Sequence, residues 1–102
     1  MTKDPQTAAT VKEILDLIKN ISPGKSVELR VPPYGAIQCV AGSNHRRGTP
    51  PNTVEMSGQT LIRLINEPAL WSSLCESCEV RASGLLSDLS NLFAQAAVKY
   101  RA

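Results

Sequence analysis

Apolar residues along this chain alternate between helical and strand spacing, so the elements can be read in order. Ala8, Val11, Ile14, Leu15, Ile18 and Ile21 return every three or four positions, which predicts a first helix that docks by one stripe. Asp4 and Pro5 suit its N-cap and first helical position, because an aspartate accepts from free N–H groups and a proline lacks one. Ser22-Pro23-Gly24-Lys25 stops it. Val27, Leu29 and Val31 then alternate with Ser26, Glu28 and Arg30, predicting a strand with one buried and one wet face. Pro32-Pro33 ends that strand. Tyr34 to Ala41, with Ile37 and Cys39 opposed to Gln38, predicts its antiparallel neighbour across a hairpin-like reversal.

After a polar, irregular stretch from Gly42 to Pro51, Thr53 to Met56 predicts a short third strand. Ser57 can cap a helix carrying Leu61, Ile62, Leu64 and Ile65, and Pro68 starts a second short helix with Leu70, Trp71 and Leu74 on its apolar side. Glu79 to Ser83 predicts a fourth strand, with Gly84 at its exit. Leu85, Leu86, Leu89, Leu92, Phe93, Ala96 and Tyr100 predict a final amphipathic helix. The order is αβββααβα: an α/β (α+β) chain with one mixed sheet of about four strands, helices mainly on one face.

Length narrows this further. The 102 residues fit one domain spanning 1–102, with its core over about 8–97, and one modest hydrophobic core. A formal charge of +2 is too small to imply nucleic acid, so any anion preference must be local. No apolar run reaches the roughly 20 residues that span a bilayer, so no transmembrane segment is expected. Three cysteines without a secretory leader pattern argue against a disulfide framework and for a reducing, cytoplasmic setting.

Most recognisable site chemistry falls between the second and third strands, in His45, Arg46, Arg47, Thr49 and Asn52. Two guanidinium forks, a hydroxyl, an amide and free N–H groups near Gly48 suit a phosphate or carboxylate, and Pro50-Pro51 would stiffen the loop. The plainer alternatives are a solvated turn, or arginines paired with Glu28 or Glu55 to hold the loop on the sheet. Cys75-Glu76-Ser77-Cys78 offers only two of the four ligands a zinc site needs, and its first cysteine sits near a helix C-terminus, where the dipole opposes a thiolate. Neither metal nor redox cycling is expected there, and no cofactor. No catalytic set is legible either: His45 is the single histidine, and no evident nucleophile or orienting carboxylate accompanies it.

The stretch VEMSGQTLIRLINEPALWSSLCESCEVRASGLLSDLSNLF resembles the C-terminal half of sterol carrier protein domains. VELRVPPYGAIQCV and HRRGTPPNTVE resemble short bacterial sterol carrier family proteins; together the likeness covers roughly residues 26 to 93. The resemblance implies an α/β sandwich whose mixed sheet is covered by helices on one face, and larger members of that family bind lipids, sterols or fatty acyl chains between sheet and helices. Two function classes stay open. One is a non-enzymatic binding module for a lipid or other amphipathic or anionic ligand, with apolar walls from Leu61, Leu64, Leu70, Trp71, Leu89, Leu92 and Phe93 and a polar mouth at the loop. The other is a protein-interaction or regulatory domain without carrier activity, in which the loop and an exposed sheet face meet a protein partner and those apolar residues serve only as core.

Overall fold

The computed structural model describes residues 4–42 and 52–102. Helix α1 (Pro5–Ile21) begins where the Asp4 carboxylate accepts from the Thr7 N–H at 2.9 Å and the Thr7 hydroxyl at 2.7 Å. Those bonds to its charged form lower the Asp4 pKa. Three strands follow, β1 (Val27–Val31), β2 (Gly35–Cys39) and β3 (Asn52–Met56), then α2 (Gly58–Asn66), capped by the Ser57 hydroxyl. The short helix that Pro68 was expected to start opens as a 3-10 turn, Pro68–Leu70, and continues as α3 (Trp71–Glu76). β4 (Val80–Ser83) and α4 (Ser90–Arg101) complete the order.

The four strands form one mixed sheet in the order β2-β1-β3-β4. β1 pairs antiparallel with β2 and parallel with β3, and β3 pairs antiparallel with β4. The expected antiparallel pairing of the first two strands is therefore found. β1 and β3 alternate buried and half-buried residues along their length, which puts Val27, Leu29, Val31, Val54 and Met56 under the helices. The other face is polar and ion-paired. Arg30 bonds the Glu28 carboxylate through Nε at 2.9 Å and Nη2 at 2.8 Å, and Arg81 pairs with Glu55 on the neighbouring strand.

Between sheet and helices lies a hydrophobic cluster, with Ile14 and Ile18 from α1, Leu61, Leu64 and Ile65 from α2, Trp71 and Leu74 from α3, and Leu92, Phe93 and Ala96 from α4. The Trp71 and Phe93 ring centroids lie 5.9 Å apart in a tilted arrangement.

One expectation fails. The final helix starts at Ser90, so Leu85, Leu86 and Leu89 all precede it, the first two in a turn and Leu89 at the N-cap. Gly84 holds φ +110°, a left-handed conformation, and its carbonyl accepts from both the Ser87 N–H at 3.3 Å and the Ser87 hydroxyl at 2.7 Å. That closes a turn over Leu85 and Leu86. Asp88 then accepts from the Ser90 N–H at 3.0 Å at the true helix start, which lowers the Asp88 pKa. Apolar periodicity ran through this boundary; the Ser87-Asp88 pair was the signal for it.

Candidate functional site

The start of β1, the end of β2, the start of β3 and the end of β4 all lie at one end of the sheet, since Val27 pairs with both Cys39 and Asn52, and Thr53 with Ser83. Three described connections meet there, residues 22–26, Val40 to Gly42, and Gly84 to Leu89, beside Asn52 at the start of β3. Backbone bonds lace the first two together. Val40 N–H donates to the Ser22 carbonyl at 2.8 Å, and Ser26 N–H donates to the Val40 carbonyl at 3.1 Å. Both bonds hold Val40 at φ +68°, a conformation that a β-branched residue adopts only under constraint.

Asn52 joins the rest. It is 4% exposed; its Nδ2 donates to the Ser26 carbonyl at 2.8 Å, and its Oδ1 accepts from the Leu86 N–H at 3.0 Å. A buried carboxamide thereby satisfies two connections that no strand ladder reaches. The fit is tight: a Cβ on Gly84 would stand 2.1 Å from Asn52 Oδ1, and one on Gly42 would stand 2.1 Å from Ser26 Oγ and 3.2 Å from Leu86 Cδ1. Asn52 was expected in the sequence as a ligand contact; both ends of its carboxamide are engaged inside the fold. His45, Arg46, Arg47 and Thr49 lie outside the described residues. The chain on either side of them, at Gly42 and Asn52, meets Leu86.

A groove of about 300 Å³ opens beside this junction, lined by Ser22, Val40, Leu85, Leu86, Leu89 and Leu92, with Asp88, Asn91 and Gln95 on its rim. Leu85 is 100% exposed and Leu86 43%, whereas Leu89 and Leu92 form the floor where the groove meets the core. Of the residues expected to wall a ligand, Leu89 and Leu92 reach this groove. Leu61, Leu64, Trp71 and Phe93 are buried in the central cluster, with Leu70 half-buried against it.

The cysteines divide between the two edges of the sheet. Cys39 is buried on β2, and burial pushes its thiol up to about 11. Cys75 and Cys78 line an open cavity of about 420 Å³ beside β4, with Arg30, Thr53, Glu55 and Arg81. Three strand spacings, about 14 Å, separate those edges, too far for one tetrahedral ion. Burial, and then the Asp88 carboxylate, raise the Cys75 pKa, the reverse of what an attacking thiolate needs. Among the described residues no group of three or more His, Cys, Asp or Glu is placed to hold a metal. Glu28 and Glu55, considered as partners for Arg46 or Arg47, pair with Arg30 and Arg81.

The comparison with known protein families decides the affiliation. A family model described as the bacterial SCP ortholog matches residues 3–94, most of the chain. The chain belongs to this bacterial sterol carrier protein ortholog family. Among solved structures, a UbiJ-SCP2 ubiquinone synthesis protein superposes over 100% of this chain and 98% of its own, with a TM-score of 0.56 and 18% identity. At that identity the likeness is one of fold: the αβββααβα order and the helix-covered mixed sheet of the sterol carrier type. A search of curated proteins finds no match to the sequence. No helix among the described residues is long and apolar enough to cross a membrane.

Proposed function

We propose that this sterol carrier family protein is a non-enzymatic binding module for an amphipathic lipid with an anionic head. The apolar part of the ligand lies along Leu85, Leu86, Leu89, Leu92 and Val40, and its head meets Arg46 and Arg47, with His45 and Thr49 beside them. The observation that carries this reading is the groove at the loop end of the sheet, where leucines that the core does not need stand exposed beside both flanks of the arginine-bearing segment. Family membership supports it, since the sterol carrier fold generally serves lipid binding. Its volume, about 300 Å³, falls at the small end of ligand sites, which suits one acyl chain laid in an open channel.

Native mass spectrometry of the protein purified from its own host, followed by titration with a fluorescent fatty acid at monomeric concentrations, tests this. The expected result is a co-purifying lipid that the fatty acid displaces. The Arg46→Ala, Arg47→Ala double variant should weaken the fatty acid and leave its neutral methyl ester unaffected. A bare chain mass with no fluorescence change on titration overturns the reading and returns the loop end to a protein-interaction role.

A further inference from the structure

We propose that the loop end of the sheet docks on an anionic phospholipid bilayer, with the Gly84–Leu89 turn as the segment that enters the headgroup layer. Leu85 is wholly exposed at the tip of that turn and Leu86 is 43% exposed beside it. Two adjacent leucines held out of the core by a glycine turn are an apolar wedge. The turn is also braced: Ser87 closes it onto Gly84, Asn52 holds the Leu86 N–H, and α4 begins at Ser90. Little ordering is therefore needed when the tip leaves water.

Charge complementarity selects the partner. Exposed Lys19, in the last turn of α1, and exposed Lys25, in the turn before β1, stand at this end. The stretch joining Gly42 to Asn52 carries Arg46, Arg47 and no acidic residue. Among the described residues lining the groove, Asp88 alone is charged. A leucine tip with Lys19 and Lys25 at the same end of the sheet fits an anionic lipid surface, where each Lys near the headgroups adds attraction and the apolar side chain enters the acyl boundary. The patch is too small for a stable protein pair, which needs about 800 Å² per partner against two leucine side chains here. Docking in this orientation would turn the mouth of the groove toward the bilayer, but it stands whether or not a ligand enters.

Sedimentation with vesicles of phosphatidylcholine and phosphatidylglycerol, against vesicles of phosphatidylcholine alone, tests the surface. The protein should pellet with the anionic vesicles, less so as salt is added, and remain in solution with the neutral ones. Leu85→Asp, at a side chain that contributes nothing to the core, should keep the thermal transition of the parent and lose about tenfold or more in vesicle affinity. Wild-type protein that stays in solution with anionic vesicles at low salt overturns the proposal. So does a folded Leu85→Asp variant that pellets as well as the parent. Fatty-acid titration without vesicles separates this proposal from the binding reading: vesicle binding without ligand uptake leaves the surface standing alone, and ligand uptake without vesicle binding removes it.

Discussion

The helix-covered centre of the sheet and its loop end treat polar and apolar groups in opposite ways. At the centre, Leu29, Val54, Leu64 and Phe93 are wholly shut from water, while Glu28 and Arg30 on the same strand as Leu29 face outward. At the loop end a carboxamide, Asn52, is buried, and a leucine, Leu85, is fully exposed. The centre is held by burial of apolar area, which is insensitive to direction, so many sequences of the right pattern would pack there. The loop end is held by a few directional bonds between segments far apart in the chain, and it keeps its apolar surface free. A region stabilised without its own leucines is one that can offer them elsewhere.

The largest expected effect belongs to the centre. Phe93→Ala should cost roughly 3–5 kcal/mol, because a fully buried ring packed near Trp71 leaves a cavity in the hydrophobic cluster. Chemical denaturation with fluorescence detection measures it, and a loss below about 1 kcal/mol would mean that the centre is less tightly packed than the comparison requires.

Asn52→Ala comes next, at about 2 kcal/mol, since the Ser26 carbonyl and the Leu86 N–H would both lose their partner. Gly84→Ala should act through the same contact, because its Cβ would collide with Asn52 Oδ1 at a left-handed φ. If the two changes are combined, their costs should fall well short of adding, as expected for residues in contact. Additive costs would show that the clamp is not one unit. Ser57→Ala should cost less, about 1 kcal/mol, by removing the hydroxyl that accepts from the Thr60 N–H at 3.1 Å at the start of α2. Thermal unfolding that leaves the variant unchanged would assign that helix entirely to its packing.

The same contrast explains what could be read from the sequence. Strand and helix identities at the centre were legible because each rests on a repeating apolar interval: Val27-Leu29-Val31 for β1, Val11-Ile14-Leu15-Ile18 for α1. Family likeness was legible in the stretch from Val54 to Phe93, and the family match spans residues 3–94. The loop end was not legible in the same way. Nothing in the interval between Ser26, Asn52 and Leu86 marks them as partners, since 26 and 34 residues separate them from one another along the chain. Leu85 and Leu86 continue a helical period by accident of spacing, and Gly84 with Ser87 and Asp88 overrides it. The groove follows from that override, so periodicity alone concealed it.

The smallest effect on stability is expected from Arg46→Ala with Arg47→Ala, and it tests the comparison most directly. If the loop end is held by the Asn52 clamp and the Val40 bonds, these arginines are not needed to hold it. The double change should then alter unfolding free energy by less than about 0.5 kcal/mol, as is usual for surface substitutions. Glu28 and Glu55, the carboxylates on the open face considered as their anchors, are already paired with Arg30 and Arg81. Binding should fall instead, for an anionic amphiphile in solution, because a carboxylate or phosphate would lose two charge-assisted partners. Calorimetric unfolding and ligand titration on the same preparation give both numbers. A transition several degrees lower would make the arginines structural anchors of the loop end, and full retained affinity would move the head-binding site elsewhere on the molecule.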